Sequence, residues 1–171
     1  MKLEKKLIAK VGIGLFLGLV SFIILIATIL FFVSPIEIEG FSMSPHYNDG
    51  EIWIMKKHST LKNGEVVVYE NNNILLIKRI IASEGDSIKI EDGIVYVNDI
   101  ALEEEYLSAE QSTLLPIDGL ELIEEGIYKQ VPENSYFLMG DNRENSFDSR
   151  FISVGFIKKE DIKGVIWKKL K

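Results

Sequence analysis

The sequence predicts an all-β domain of mostly antiparallel, twisted sheets that follows a single N-terminal transmembrane helix. Two observations carry this prediction. Residues 11–33 are uncharged and almost wholly apolar, and many short β-rich segments follow them without a convincing amphipathic helix. The chain of 171 residues allows one domain with an attached segment. We therefore divide it into an N-terminus at 1–10, an anchor at 11–33 and a β domain at 34–171.

The apolar run is long enough to cross a membrane. At about 1.5 Å per residue it reaches roughly 34 Å, whereas a hydrocarbon core is about 30 Å thick. The first ten residues carry four lysines and one glutamate, so the positive-inside rule predicts a cytoplasmic N-terminus and a β domain outside. A cleaved signal peptide is the alternative, but its apolar core is shorter and ends at a small-x-small site. A buried core helix is a weaker alternative, because the uncharged run is too long for most.

Strand-like patterns fill the first half of the β domain. Residues 36–39 alternate apolar and polar, as a half-buried strand does. Residues 51–55 and 65–69 are short and β-rich, and 71–73 predict the turn of a hairpin into 74–81.

The second half contains one clear hairpin and one irregular segment. In the hairpin at 86–97, the Asp-Gly pair at 92–93 suits a turn with positive φ. Residues 101–134 combine an acidic run at 103–105 with a weak pattern, and we interpret them as a variable excursion with some strand, not as a second domain. Residues 136–139 and 165–167 predict the last strands.

Composition and charge exclude several function classes. The net charge is -7 and no basic stripe is present, so nucleic acid is not an expected partner. The chain has no cysteine, which excludes disulfides, a thiolate nucleophile and a cysteine-based metal site. Two histidines do not favour a His-rich metal site, and we predict neither a metal nor another cofactor.

Ser42 is the candidate nucleophile, since it lies just past a predicted strand. A serine hydroxyl needs a base within hydrogen-bond reach. His46 is only four residues away and would have to fold back tightly, whereas His58 lies in a polar stretch typical of a solvated turn. Neither histidine is therefore a good base.

Lys78 and Arg79 follow an apolar run and point to opposite faces of a predicted strand. One of them must therefore face a buried side or a cleft. Burial lowers the pKa of a lysine, and a neutral lysine can take a proton from serine, whereas arginine stays charged. Lys78 is thus the candidate base and Arg79 the candidate ion-pair partner. The alternative is an edge-strand pair that faces water.

A polar, charged loop at 140–150 follows the strand at 136–139, in the kind of position where functional residues are often found. The alternative is a turn held only by ion pairs among its charged residues, which are Asp141, Arg143, Glu144, Asp148 and Arg150.

Together these segments resemble the bacterial type I signal peptidase family, peptidase family S26, whose members use a serine–lysine dyad. Residues 42–45 match the family's Ser-Met-x-Pro motif, and 78–86 match its Lys-Arg motif, which ends in Gly-Asp. Residues 140–150 match its Gly-Asp-Asn-Arg-x-x-Ser-x-Asp-Ser-Arg motif in full. Three motifs in order behind an apolar anchor make the resemblance specific. Archaeal and endoplasmic-reticulum relatives carry histidine at the position of Lys78, so the bacterial branch is favoured.

The resemblance implies the signal peptidase β fold and a role for each site residue. Ser42 would attack the scissile carbonyl, Lys78 would act as base and then as acid, and Ser146 would hydrogen-bond the Lys78 amine. The backbone N–H of Ser42 would meet the oxyanion. Gly40 stands where some members add a serine hydroxyl donor. The charged residues expected to buttress the site are Asp148, Arg150, Arg79 and Asp141.

The resemblance also implies the partners: exported preproteins cut after a small-x-small site, membrane lipid around the anchor and a secretion translocon nearby. We expect the substrate to bind as an added strand beside residues 36–39 and 75–78. Bulky walls would leave only shallow pockets, and the wall candidates are Ile36, Ile38, Met43, Leu76 and Ile77.

The chain departs from the family pattern in places. His46-Tyr47 and Gly50-Glu51 replace the family's usual residues, and we expect a two-residue insertion near 151–154. Two other functions stay open: a catalytically silent relative that acts as an assembly or pilus-folding factor, and a self-cleaving regulator. Cleavage of a preprotein would distinguish them from a signal peptidase.

Overall fold

The computed structural model describes residues 2–107, 112–117 and 119–170, with only the backbone described for 2–9 and 11. Residues 108–111 and 118 of the predicted excursion therefore lie outside the described residues. The chain forms two compact units, Met1–Ser34 and Pro35–Lys171.

The first unit is the helix α1, Lys2–Phe32. It begins well before residue 11, where the anchor was predicted to begin, because the preceding lysines, leucines and alanine favour a helix. Its segment Gly12–Phe32 is long and apolar enough to cross a membrane. Large apolar side chains along it, from Ile13 to Phe32, are exposed. A single N-terminal apolar helix of this kind fits a single-pass membrane anchor.

Short strands follow α1, with two 3₁₀ turns at Arg143–Asn145 and Lys159–Asp161. The strands are β1 (Val33–Glu37), β2 (Ile52–Lys56), β3 (Val66–Asn71), β4 (Ile74–Ser83), β5 (Ser87–Glu91), β6 (Ile94–Val97), β7 (Ile100–Ala101), β8 (Lys129–Gln130), β9 (Ser135–Met139), β10 (Ile157–Lys158) and β11 (Ile162–Lys169).

The strands form two sheets. One has the order β1-β2-β11-β3-β4-β9-β10, and the other the order β7-β6-β5-β8. Every pair with a defined register is antiparallel. The predicted all-β, mostly antiparallel fold behind an apolar helix is confirmed.

Two predicted hairpins are also confirmed. Asn72 and Asn73, with φ of 51° and 63°, join β3 to β4, and Asp92 and Gly93, with φ of 50° and 76°, join β5 to β6. Positive φ at both central residues gives a tight turn whose twist matches that of the flanking strands.

The strand β4 has an open edge in its first half. It pairs with β3 from Ile74 to Arg79, but its pairing with β9 begins only at Arg79. Residues 74–78 therefore lack a strand on their second side within the described part of the chain. Such an edge presents free backbone N–H and C=O groups to an added strand.

The described residues of the excursion at 101–134 pack against the rest of the β domain. It contributes β8 to the smaller sheet, and its Ile123 and Val131 lie fully buried in a core cluster with Phe137 of β9. Apolar burial of this kind holds the segment against the larger sheet.

Candidate active site

Ser42 lies in a turn that follows β1. Gly40 adopts φ of 83°, which favours glycine, and its amide donates to Asp49 Oδ1 at 2.7 Å. The Ser42 carbonyl accepts a hydrogen bond from the Asn142 amide at 2.9 Å, and the side-chain amide of Asn142 donates to the Phe41 carbonyl at 3.1 Å. The turn is therefore held from the loop at 140–150.

Lys78 lies on β4 and its side chain reaches Ser42. The residue is 3% exposed, and its Nζ contacts Ser42 Oγ at 2.6 Å and donates to the Ile77 carbonyl at 3.0 Å. Two residues that are 36 positions apart in the chain thus form the hydrogen-bonded pair that a serine nucleophile and its base require.

Burial lowers the pKa of Lys78 from 10.5 to about 8. The carboxylates of Asp148 and Asp141 act in the opposite direction, since they favour the ammonium form. Desolvation is the larger effect, so a substantial fraction of this lysine is neutral in mildly alkaline solution.

Two ion pairs surround this contact. Arg79 donates to both oxygens of Asp141, at 2.8 and 2.5 Å. Arg150 donates to both oxygens of Asp148, at 2.8 and 3.0 Å, and the two residues are 2% and 0% exposed. Asp148 Oδ2 also accepts from the Gly140 amide at 3.0 Å, so the pair holds the start of the loop.

Ser146 is buried, but the hydrogen bond expected between it and Lys78 is not formed. Its Oγ has no hydrogen-bond partner in the described residues. A Cβ added at Gly140 would collide with Ser146 Oγ and with the Ser42 carbonyl. Gly140 thus provides the space in which the Ser146 hydroxyl and the Ser42 backbone lie close together.

A groove of about 460 Å³ runs past Ser42 and Lys78. One side is formed by residues 36–40 and the other by residues 73–77 at the open edge of β4. All five predicted wall residues line it: Ile36, Ile38, Met43, Leu76 and Ile77. Ile38 and Met43 are 1% and 2% exposed, so the walls on that side are packed from behind.

The Ser42 amide makes no hydrogen bond to another described residue. In serine peptidases, a free N–H beside the attacking serine can donate to an oxyanion. The amide of Gly40, by contrast, is already bonded to Asp49. In the described residues, neither histidine forms a hydrogen bond with the Ser42 hydroxyl, which contacts Lys78. Within the same residues no group of three or more His, Asp or Glu side chains converges on a metal position.

Comparison with known proteins places the chain in a family. The profile of the family described as "Signal peptidase, peptidase S26" matches residues 12–168. The chain belongs to this signal peptidase family. It is a serine peptidase, and therefore a hydrolase.

Relatives of the peptidase agree with this assignment. This chain is 36% identical over 138 residues to signal peptidase I of Bacillus amyloliquefaciens, and the match covers 78% of this chain and 74% of the relative. It is 34% identical over 140 residues to signal peptidase I T of Bacillus subtilis (strain 168), covering 78% and 72%. The crystal structure of a signal peptidase I from Enterococcus faecalis V583 matches with a TM-score of 0.52 at 27% identity, covering 64% of this chain and 98% of that one.

Sequence reasoning gave no role to several residues that support the site of this peptidase. Asn142 holds the turn that contains Ser42, and Arg143 is 2% exposed and donates to the Gly140 carbonyl at 3.1 Å. Glu104 of the acidic run pairs with Arg143. A buried arginine demands a carboxylate partner, but the sequence does not indicate which of three consecutive glutamates supplies it.

The departures from the family pattern lie beside the site. Tyr47 packs against Trp53 with ring centroids 4.7 Å apart and ring planes tilted by 45°. Residues 151–155 form a turn in which the Val154 and Gly155 amides donate to the Phe151 carbonyl. Phe151 also forms an isolated β-bridge with Glu121 of the excursion, so this turn packs against that segment.

Proposed function

We propose that this signal peptidase is a membrane-anchored serine endopeptidase that removes N-terminal signal peptides from exported preproteins. Ser42 is the nucleophile and Lys78 the general base. The observation that carries the proposal is the 2.6 Å contact between Ser42 Oγ and the buried Nζ of Lys78, inside a groove with an open strand edge.

The chemistry begins with a neutral Lys78. The amine takes the proton of Ser42 as Oγ attacks the scissile carbonyl carbon, and the free Ser42 amide donates to the developing oxyanion. The intermediate collapses when Lys78 returns the proton to the leaving amine nitrogen and the C–N bond breaks. Lys78 then deprotonates a water molecule, which attacks the carbonyl carbon of the acyl-enzyme. The Oγ–C bond breaks, Lys78 returns the proton to Ser42 Oγ, and the signal peptide leaves with a free carboxylate.

The supporting residues hold Ser42 and Lys78 in position. Asp141 with Arg79, and Asp148 with Arg150, fix the loop at 140–150 and neutralise charge beside the lysine. Ser146 is proposed to orient the Lys78 amine once substrate fills the groove, through rotation of its unpartnered hydroxyl.

Specificity follows from the groove. A substrate strand that adds to residues 74–78 would form backbone hydrogen bonds and send alternate side chains into the walls. Ile38, Met43 and Ile77 are packed from behind, so these walls cannot retreat to admit a large side chain. Small residues at the position before the cut and two before it therefore fit best.

The anchor sets the location. The apolar helix segment Gly12–Phe32 would cross the cell membrane once, with membrane lipid around its exposed apolar side chains. The lysines before it favour a cytoplasmic N-terminus. The β domain would then act outside the membrane, on preproteins that leave a secretion translocon nearby.

The test is cleavage of a preprotein by the purified full-length enzyme in detergent, with the cut located by N-terminal sequencing. Ser42→Ala and Lys78→Arg should abolish cleavage, since arginine keeps the charge but cannot become a neutral base. Ser44→Ala and Lys62→Arg are matched controls, because each is near in sequence or chemistry but lies outside the pair.

A wild-type enzyme that binds the preprotein without cutting it would instead support a catalytically silent assembly factor. Cleavage by Lys78→Arg at more than a few per cent of the wild-type rate would refute the assignment of the base. Loss of activity in the control variants would show that the assay reports the fold and not the dyad.

A further inference from the structure

A buried cluster from the excursion contacts the loop at 140–150. Arg143 Nη1 donates to Glu104 Oε2 at 3.1 Å, and Arg143 Nη2 donates to Glu104 Oε1. The Tyr106 hydroxyl also donates to Glu104 Oε1, at 2.6 Å. The Arg143 side chain is 0% exposed and that of Glu104 is 11% exposed. Thr113 also accepts from Arg143. We call Glu104 and Tyr106 the excursion clamp.

One arm of the clamp leads to the nucleophile. Arg143, held by Glu104, donates through Nε to the Gly140 carbonyl at 3.1 Å. Its neighbour Asn142 bonds the carbonyls of both Ser42 and Phe41, at 2.9 and 3.1 Å. The position of the Ser42 backbone therefore depends on a loop that Glu104 anchors.

The other arm leads to the base. The guanidinium of Arg79 lies over the ring of Tyr106, 4.0 Å from its centroid, in a cation–π contact. Arg79 is the neighbour of Lys78 on β4, and it is bound in turn by Asp141. Burial raises the pKa of the Tyr106 hydroxyl, so Tyr106 stays neutral and keeps its proton for Glu104.

We propose that Glu104 and Tyr106 are positioning residues that set the separation of Ser42 and Lys78. Together they contact Arg143, in the loop that holds Ser42, and Arg79, the neighbour of Lys78, and so add to the direct pair of Arg79 with Asp141. This inference rests on the proposed dyad. If Glu104 and Tyr106 only stabilised the fold, their replacement would lower stability without a specific effect on the positions of Ser42 and Lys78. A clamp affects turnover first, since a misplacement of about 1 Å between reacting groups lowers the rate about 100-fold.

The test uses the full-length enzyme in detergent and three clamp variants. Tyr106→Leu removes the ring and the hydroxyl, Tyr106→Phe keeps the ring, and Glu104→Gln keeps the shape but removes the charge. Tyr128→Leu is the matched control, because Tyr128 lies in the same excursion but packs near Lys89 of β5, 4.9 Å from its Nζ.

We expect kcat to fall about 10-fold to 100-fold in Tyr106→Leu and Glu104→Gln, with KM changed less than about 3-fold. Tyr106→Phe should recover most of the loss suffered by Tyr106→Leu, and Tyr128→Leu should match the wild type. Wild-type kcat in Tyr106→Leu and Glu104→Gln would overturn the proposal. So would a loss that Tyr128→Leu reproduces.

Hydrogen exchange gives a readout that does not need activity. The Asn142 amide is bonded to the Ser42 carbonyl, so its exchange should accelerate about 10-fold or more in Tyr106→Leu and Glu104→Gln while amides of β5 keep their wild-type rates. Unchanged exchange at Asn142 would overturn the clamp even if no preprotein were cut. An inactive wild type with accelerated exchange in the variants would leave the clamp standing and refute the dyad's function.

Discussion

The pH dependence of cleavage tests the mechanism most directly, because the base must be neutral. Burial places the pKa of Lys78 at about 8, below its ordinary value of 10.5. At about 1.36 kcal/mol for each tenfold change in acidity, this difference corresponds to about 3.4 kcal/mol against the buried ammonium. At pH 7.5 about a quarter of such a lysine is neutral, against about 0.1% of a solvated one, a gain of roughly 240-fold in competent enzyme.

The assay is kcat/KM for a fluorogenic peptide with a small-x-small site, measured from pH 6 to 10 at constant ionic strength. The value of kcat/KM should rise tenfold for each pH unit at the acidic end and level off above about pH 8. Ser44→Ala should reproduce this profile, and Lys78→Arg should be inactive throughout. A midpoint near 10.5 would show that the lysine is solvated, and one near 6.5 would assign the base to a histidine; either result refutes the reasoning.

Three further outcomes are expected. Lys78→Met removes the cost of burying an ammonium. Between about pH 8 and 10.5 only the lysine of the unfolded state holds the proton, so the stability of the wild type rises with pH across that window. The melting temperature of Lys78→Met should therefore exceed that of the wild type at pH 7 and equal it near pH 11. Ser146→Ala should raise the melting temperature, because a buried hydroxyl without a partner is costly, yet lower kcat by about 100-fold; unchanged turnover would show that the hydroxyl takes no part in catalysis. In a peptide series, Ala before the cut and two residues before it should be best and Leu or Phe rejected, whereas Ile77→Ala should admit larger residues; equal cleavage after Leu in the parent enzyme would contradict the description of the walls.

Local rules account for what could be predicted of the fold. The turns at Asn72-Asn73 and Asp92-Gly93 follow from residues that tolerate positive φ, and the alternation at 36–39 gives a buried Ile38 between exposed glutamates. Strand ends were less predictable: β4 continues to Ser83 and β11 begins at Ile162, beyond the segments the pattern indicated. Those ends are determined by pairing with neighbouring strands, and the local sequence does not encode that pairing.

The site divides in the same way. Residue chemistry by itself predicted a lysine base for a serine without a histidine partner, and of Lys78 and Arg79 only the lysine can become neutral. The polar loop at 140–150 also stood out from the sequence. These conclusions depend on side-chain type and on spacing within one segment.

Only the tertiary structure decided which distant groups meet. Lys78 contacts Ser42 across 36 positions, and Arg143 finds Glu104, not its neighbouring glutamates, across 39. The Ser146 hydroxyl is buried beside Gly140, and it has no hydrogen-bond partner in the described residues. Burial, and with it the lowered pKa of Lys78, arises when separate strands exclude water together, so no single segment of the sequence encodes it.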